Sequence, residues 1–246
     1  MVELIDLHNH TTFSDGTFSP SYLKALADKM GIMLGISDHL DNERINSVKK
    51  FNEYMNVLKG LGVYKGVEIG LLGEVVIPIE NLSELDYIIG GLHNLLINGK
   101  NFELWGNDVY EGSVDVFIDE LVRSLVRCVE DYPIDILAHP TYVPPFISNT
   151  FDVQSIWTDD RMSYIIDACV ENGVAIEISN RWRVPHEQFI RIALDKGAIF
   201  STGSDGHSER WYLQLNYPLS IIKTLGIQEG RIFTPDNPFN RLKRFV

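Results

Sequence analysis

Residues 3–39 read "ELIDLHNHTTFSDGTFSPSYLKALADKMGIMLGISDH". The segments "ELIDLH" and "IMLGISDH" are short and apolar, which is typical of buried strands. Between them, "SPSYLKALADKMG" predicts a helix with Ser19 as N-cap, Pro20 at its first position and Gly31 as its end. A strand, a helix and a second strand of these lengths predict a parallel βαβ unit.

The same alternation continues along the chain. Five more segments have the pattern of strands: "VYKGVEIG" from Val63, "LDYIIGGLH" from Leu85, "IDILAHP" from Ile134, "VAIEIS" from Val174 and "AIFSTGSD" from Ala198. Amphipathic segments lie between most of them and predict helices from Asp41 to Gly60 or Gly62, Ser113 to Pro133, Asp159 to Gly173 and Pro185 to Gly197. Seven strands joined by helices predict an α/β fold, either a closed barrel or an open doubly wound sheet.

Two segments interrupt this rhythm. "EVVIPIENLSE" predicts a short extended insertion after the third strand, and "NLLINGKNFELWGNDVYEG" predicts a long, turn-rich loop after the fourth. The sequence has no internal repeat and no Pro/Ser-rich linker. We therefore expect residues 1–246 to form a single domain, a length that suits an α/β barrel.

The composition limits the classes of partner. With 45% hydrophobic and 22% charged residues, the chain is typical of a globular enzyme, and its formal charge of −13 argues against long nucleic acids and anionic membranes as partners. No apolar run is long enough to span a membrane, and the N-terminus lacks a secretory signal, so we expect a cytoplasmic protein. Cys128 and Cys169 lie in apolar helical segments, which predicts buried free thiols. Nothing in the sequence indicates an oligomeric state.

Metal-binding residue types follow the predicted strands. Six of the seven histidines occupy strand ends, namely His8, His10, His39, His93, His139 and His207, and the accompanying carboxylates are Asp15, Asp38, Glu68, Glu177 and Asp205. Because the carboxyl ends of parallel strands face one side, we expect these side chains to converge. Imidazole and carboxylate are ligands that zinc, manganese and iron accept, so the pattern predicts a multinuclear metal site. His186, at a helix start, is predicted to be a surface residue.

Short spacings within this set have a structural meaning. His8 and His10 lie two residues apart and so point to the same face of a strand, as do Asp205 and His207. Gly16 can adopt the turn that brings Asp15 back to the site. The sequence leaves two roles open for Asp38 and Glu177: each could orient a metal ligand or accept a backbone hydrogen bond.

At these residues the chain resembles the PHP family (polymerase and histidinol phosphatase) of metal-dependent phosphoesterases. The motifs are "DLHNHTTFSDG", "ISDH", "GVEIG", "GLH", "AHP" and "STGSDGH", in this order over nearly the full length. The resemblance implies a distorted (β/α)7 TIM-like barrel with metal ions in its mouth. It assigns His8, His10, Glu68 and Asp205 to a first ion, Glu68 with His93 and His139 to a second, and Asp15, His39 and His207 to a third. Some family members have histidine where this chain has Asp15, so two or three divalent ions (Zn, Mn or Fe) are expected.

The reaction implied is hydrolysis of a phosphoester. Two ions about 3.5–4 Å apart share a hydroxide and lower the pKa of bound water from about 15.7 to about 7, which creates a nucleophile. Glu68, Asp205 and His207 are the predicted catalytic residues. We expect a small phosphorylated metabolite as substrate, with L-histidinol phosphate favoured. The alternatives are a nucleotidase or oligonucleotide phosphodiesterase, and a non-catalytic metal-binding accessory module.

Arginine suits a phosphate dianion because its guanidinium donates two parallel hydrogen bonds. The candidates are Arg183, the first choice, with Arg181, Arg44 and Arg210 in other mouth-side segments. Trp105, Trp182 and Trp211 also fall in such segments. They are expected either to stack on a planar substrate group or to pack within the protein.

Overall fold

The computed structural model describes residues 4–73, 77–106 and 108–236. Its strands are Ile5–Asp6 (β1), Met33–Ile36 (β2), His39–Leu40 (β3), Tyr64–Gly70 (β4), Tyr87–Gly91 (β5), Asn94–Ile97 (β6), Lys100–Glu103 (β7), Ile136–Leu137 (β8), Ala175–Ser179 (β9) and Phe200–Gly203 (β10). Its α-helices are Pro20–Met30 (α1), Val48–Lys59 (α2), Ile79–Leu82 (α3), Val114–Asp131 (α4), Pro145–Ser148 (α5), Val153–Ile156 (α6), Asp159–Asn172 (α7), Glu187–Asp195 (α8) and Asn216–Leu225 (α9).

Parallel pairing joins the principal strands in the order β1-β2-β4-β5-β8-β9-β10. Outside this order, β3 also pairs with β4. Leu7 beyond β1 donates its backbone N–H to the carbonyl of Thr202 in β10 at 3.1 Å, which brings the first and last strands together. The fold is therefore a nearly closed α/β barrel of seven parallel strands, as predicted. The segment predicted as the second strand is divided into β2 and β3, and the break precedes His39.

Two buried tyrosines donate hydrogen bonds to carbonyls of the barrel strands and their ends. The hydroxyl of Tyr87 donates to the carbonyl of Leu7 at 2.6 Å, and that of Tyr54 donates to the carbonyl of Gly66 at 2.7 Å. A Cβ at Gly66 would overlap the ring of Tyr87, so the glycine is needed for this close approach. The first hydrogen bond joins β5 to the end of β1, and the second joins helix α2 to β4.

Helix ends match the predicted signals at some positions and differ at others. Ser19 caps α1, and Gly31 ends it with a φ of 67°, as predicted. Helix α2 begins at Val48, not near Asp41, so that prediction was wrong. The Asp41 carboxylate accepts the backbone N–H groups of Glu43 and Arg44 at 2.8 and 2.7 Å, and this local turn competes with helix formation.

The predicted loop after the fourth strand contains an antiparallel hairpin formed by β6 and β7. Asn98 and Gly99 connect the two strands with φ values of 51° and 77°, a turn for which the Asn-Gly pair is a known signal. Leu95 and Phe102 are buried, and the ring of Phe102 lies 6.1 Å from that of Phe117 in α4. The apolar face of the hairpin therefore packs on this helix.

Other segments also differ from the sequence prediction. The expected extended insertion "EVVIPIENLSE" contains the short helix α3, while its residues 74–76 lie outside the described part of the chain. Helices α5, α6 and α9 were not predicted. Cys128 and Cys169 are buried and unpaired, as expected. Within the described ranges, no helix combines the length and apolar character needed to cross a bilayer.

Candidate metal centre

The nine predicted metal ligands meet at the carboxyl ends of the barrel strands. Seven of them line one cavity, namely Asp15, His39, Glu68, His93, His139, Asp205 and His207. His8 and His10 are fully buried and contact carboxylates that line it. The structure therefore brings together residues that are spread over 200 positions of the sequence.

A first cluster surrounds one oxygen of Glu68. Its Oε2 lies 3.3 Å from Nε2 of His8 and 3.4 Å from Nε2 of His10. The Oδ1 atom of Asp205 lies 3.6 and 3.5 Å from the same two nitrogens. Two ring nitrogens and two carboxylate oxygens thus face one another, which is the donor set that zinc, manganese and iron accept.

The other oxygen of Glu68 faces a second group of histidines. Its Oε1 lies 3.1 Å from Nε2 of His93 and 3.5 Å from Nε2 of His139. Strand β4 places Glu68 between the two clusters because β4 is hydrogen-bonded to β5, the strand that leads to His93. One carboxylate thus contacts two sets of imidazoles through separate oxygens.

A third cluster lies nearer to solvent and centres on Asp15. Its Oδ1 is 3.4 Å from Nε2 of His207, and its Oδ2 is 3.6 Å from Nε2 of His39. Arg44 also approaches Oδ2, with its Nη2 at 3.1 Å. Gly16 has no positive φ; its role is the close approach, because a Cβ there would overlap the carbonyl of His10.

Two strand glycines make space for the buried carboxylates. A Cβ at Gly91 would overlap the carboxylate of Glu68, and a Cβ at Gly203 would overlap that of Glu177. Each glycine therefore allows a charged side chain to occupy the mouth of the barrel. Two candidate ligands, His139 and Asp205, have φ values of 32° and 51°, a region that residues other than glycine rarely adopt.

Burial and neighbouring charges set the ionisation of the cluster. Burial alone disfavours the charged carboxylates, but His8 and the other nearby imidazoles hold the pKa of Glu68 and that of Asp205 well below their usual ranges. Burial lowers the pKa of His10 far below its usual value and that of His39 to about 4. Burial also opposes charging of His8, yet Glu177, Glu68 and Asp205 raise its pKa well above the usual value.

Two further carboxylates support the clusters. Glu177 accepts the backbone N–H of His139 at 2.8 Å, and its other oxygen lies 2.6 Å from Nδ1 of His8. Asp38 accepts the backbone N–H of Thr11 at 2.7 Å and the hydroxyl of Ser14 at 2.6 Å, which anchors the loop that carries Asp15. Glu177 therefore orients two candidate ligands, His8 and His139, and Asp38 holds the loop in place.

The residues present fit divalent metal ions. Among the residues that the structure describes, three buried ring nitrogens, Nε2 of His8 and both nitrogens of His10, find no hydrogen-bond partner. Buried polar atoms are normally paired, and a metal ion would satisfy such nitrogens. Within the described ranges, three groups have ligand atoms close enough to hold an ion: His10, Asp15, His39 and His207; His8, His10 and Glu68; His39, Glu68 and His93.

The cavity above the clusters has a volume of about 1040 Å³. Of the four predicted arginines, Arg44 and Arg181 line it. Arg183 and Arg210 are exposed and do not belong to its lining; their guanidinium groups lie over the rings of Tyr217 and Trp211 at 5.8 and 4.8 Å. Arg127 of α4 also lines the cavity; it was not predicted, because its helix precedes strand β8 and its sequence does not indicate a position at the mouth.

An aromatic cluster borders the candidate metal centre. The rings of Trp105 and Trp182 stack with centroids 4.8 Å apart, and Tyr142 contacts both of them. Trp105 lines the cavity and lies 5.2 Å from the ring of His139. His186, predicted as a surface residue, is half-buried at the N-cap position of α8.

Comparison with known proteins agrees with this architecture. The chain matches "Probable phosphatase" proteins of Vibrio parahaemolyticus (23% identity, covering 94% of this chain and 89% of the relative), Acetivibrio thermocellus (25%, 83% and 79%) and Shewanella loihica (28%, 83% and 78%). Among solved structures, a candidate histidinol phosphatase of Listeria monocytogenes superposes with a TM-score of 0.62 at 14% identity, covering 84% of this chain and 96% of that protein. That likeness shows a shared fold.

A family assignment follows from the sequence itself. The profile of the PHP domain matches residues 6–181, more than two thirds of the chain. The matched range begins at the "DLHNH" motif and ends at Arg181, so it includes seven of the nine candidate ligands. Asp205 and His207 lie beyond it, and the barrel brings them back to the first cluster and to Asp15. This chain belongs to the PHP domain family.

Proposed function

We propose that this protein is a metal-dependent phosphoesterase, built as a single domain, that hydrolyses a small phosphorylated metabolite. The observation that carries the proposal is the geometry of Glu68, whose two oxygens face separate clusters of histidines. A carboxylate between two ion-binding clusters is the arrangement that dinuclear hydrolases use. The similarity to probable phosphatases supports the same reaction class.

Each cluster has a proposed role. His8, His10, Glu68 and Asp205 would hold a first ion, Glu68 with His93 and His139 a second, and Asp15, His39 and His207 a third. Bound zinc, manganese or iron would supply Lewis acidity and an activated water. Glu68, Asp205 and His207 are the proposed catalytic residues, because they would hold the ions and the activated water at the floor of the cavity.

Arginines would bind the phosphoryl group. Arg181 lines the cavity, and its Nη1 lies 2.8 Å from Nδ1 of His207. Arg44 lies beside Asp15, with its Nη2 atom 3.1 Å from Oδ2 of that carboxylate. Guanidinium groups donate strong hydrogen bonds to phosphate oxygens, so these two side chains would orient a phosphate over the metal centre.

Purified protein, stripped of metal and reloaded separately with zinc, manganese or iron, tests the proposal. We expect phosphate release from at least one member of a panel containing L-histidinol phosphate, a nucleoside monophosphate, a dinucleotide and generic monoesters and diesters. His8→Ala should abolish the activity, and His186→Ala, outside the clusters, should retain it. Metal-loaded protein that is inactive on the whole panel would favour a non-catalytic accessory module.

The panel also distinguishes the two candidate enzyme activities. L-histidinol phosphate is the first substrate to test. A cavity of about 1040 Å³ also has room for a nucleoside monophosphate, so a nucleotidase or oligonucleotide phosphodiesterase remains the second candidate. The ratio of kcat/KM between these substrates decides between them.

A further inference from the structure

The carboxylate of Asp205 is held from two directions. Its Oδ1 faces the metal centre, 3.6 Å from Nε2 of His8 and 3.5 Å from Nε2 of His10. Its Oδ2 accepts a hydrogen bond of 2.6 Å from the indole N–H of Trp182. We propose that Trp182 is a positioning residue, whose indole N–H fixes Asp205 so that Oδ1 faces the first cluster and would be the oxygen available to an ion held there. The inference rests on the proposed role of Asp205 as a ligand.

The geometry explains why the second oxygen needs a donor. Asp205 is buried, with 4% of its surface exposed, and a buried carboxylate oxygen without a donor is costly. The Nη1 atom of Arg181 lies 3.8 Å from Oδ2, beyond hydrogen-bond distance. Indole is a neutral group that only donates, so it holds the oxygen without adding charge beside a cation. Partners of this kind orient metal ligands and tune their affinity.

Trp182 is itself held in place. Its ring stacks on Trp105 at 4.8 Å with an interplanar angle of 27°, and Tyr142 contacts its edge at 4.7 Å. Trp105 in turn lies 5.2 Å from the ring of His139 and 6.1 Å from that of His93. The two tryptophans therefore connect Asp205 of the first cluster with the histidines of the second.

Stacking and hydrogen bonding make different demands on residue 182. Phenylalanine would retain an aromatic ring against Trp105, but it has no N–H to donate to Asp205. Trp182→Phe therefore separates the proposed role from simple packing. Trp157 provides a matched control, because its buried indole N–H has no hydrogen-bond partner. Trp157→Phe makes the same chemical change without removing a hydrogen bond.

The first experiment measures metal affinity of the metal-free proteins by chelator competition with Zn²⁺ and with Mn²⁺. We expect Trp182→Phe to weaken binding roughly 10–100-fold, as other changes to groups that support metal ligands do, and Trp157→Phe to change it less than about twofold. Unchanged affinity in a folded Trp182→Phe protein would overturn the proposal. His8→Ala reports on the metal centre itself: if it also leaves affinity unchanged, the proposed function fails as well.

A second measurement needs neither metal nor the Trp182 variant. The chain has four tryptophans, so a ¹⁵N spectrum contains four indole N–H signals. In the metal-free protein we expect one of them to be shifted downfield and to exchange slowly with solvent. That signal should move upfield in Asp205→Asn, which replaces the charged acceptor with a neutral amide. If no indole signal responds to Asp205→Asn, Trp182 does not position this carboxylate.

Discussion

The Nδ1 atom of His8 lies 2.6 Å from Oε1 of Glu177, and this contact leaves the Nε2 atom of His8 directed at Glu68 and Asp205. The carboxylate thereby fixes which ring nitrogen remains available as a ligand, a common arrangement around metal-bound histidine. Glu177 is buried in β9 and also accepts the backbone N–H of His139. One side chain thus supports a candidate ligand from each of two clusters.

Glu177→Gln should therefore weaken metal binding without removing any ligand. We expect a loss of roughly 10–100-fold in metal affinity, because the amide is a weaker acceptor and leaves the ring of His8 free to turn. Chelator competition measures the loss. Glu187→Gln, at an exposed pair with Arg191, is the matched control and should bind metal as the unmodified protein does. Equal affinity of the two variants would contradict the role of Glu177.

Glu68→Gln should affect more than one ion, since its two oxygens contact different clusters. We expect the bound metal per chain to fall by about two ions, measured by mass spectrometry of the elements after gel filtration. Asp15→Asn removes charge from the third cluster alone and should cost at most one ion. Similar metal content in both variants would show that Glu68 does not join the clusters.

The two arginines of the "RWR" segment should differ in their effect on catalysis. Arg181→Ala removes a guanidinium that lines the cavity, and we expect KM for the best phosphomonoester to rise roughly 10–100-fold, the cost of a hydrogen bond to a charged group. Arg183→Ala, exposed beside Tyr217, should leave KM within about twofold. The opposite ranking would transfer the phosphate-binding role to Arg183.

Metal binding should release protons. Burial opposes protonation of His8, but Glu177, Glu68 and Asp205 raise its pKa well above the usual value, so in the metal-free protein the ring retains a proton above pH 6.5. An incoming ion must displace that proton; affinity therefore rises with pH until the pKa of His8 is passed. Calorimetric titration in two buffers of different ionisation enthalpy measures the release. Identical heats in both buffers would contradict this ionisation state.

Tyr87→Phe should destabilise the barrel. It removes the hydroxyl that donates to the carbonyl of Leu7 at 2.6 Å and leaves that buried carbonyl without this donor. We expect the free energy of unfolding to fall by about 1–3 kcal/mol, measured by urea denaturation of metal-free protein. Tyr22→Phe, at an exposed position of α1, should change it by less than about 0.5 kcal/mol.

The pattern of the sequence was sufficient to predict seven parallel strands and the convergence of the candidate ligands, because both follow from period and position, whereas the choice of a barrel over an open sheet rested on the resemblance to the PHP family. Strands recur between amphipathic helices, and a histidine or carboxylate follows nearly every strand. In a parallel barrel that position already specifies one common mouth, whatever the details of side-chain packing. The late start of α2 was harder to anticipate, since Asp41 favours a local turn over the helix that the apolar pattern suggests.

Contacts that depend on loop conformation could not be predicted in this way. Arg181 and Arg183 are two residues apart in one loop, yet only Arg181 lines the cavity. Arg183 has a φ of 56°, so the backbone turns between them and the alternation that orders side chains along a strand no longer applies. The hydrogen bond from Trp182 to Asp205 belongs to the same class, because it joins two loops that no sequence period relates.

The absence of a side chain at Gly91 and at Gly203 limits which substitutions this protein can tolerate. A single methyl group at either place would collide with a buried carboxylate, although neither glycine has a positive φ that would exclude alanine. Such a substitution would leave the barrel strands in place and still displace Glu68 or Glu177 from the candidate metal centre. Gly91 and Gly203 are therefore two positions at which even replacement by alanine, the smallest possible change, should damage the site.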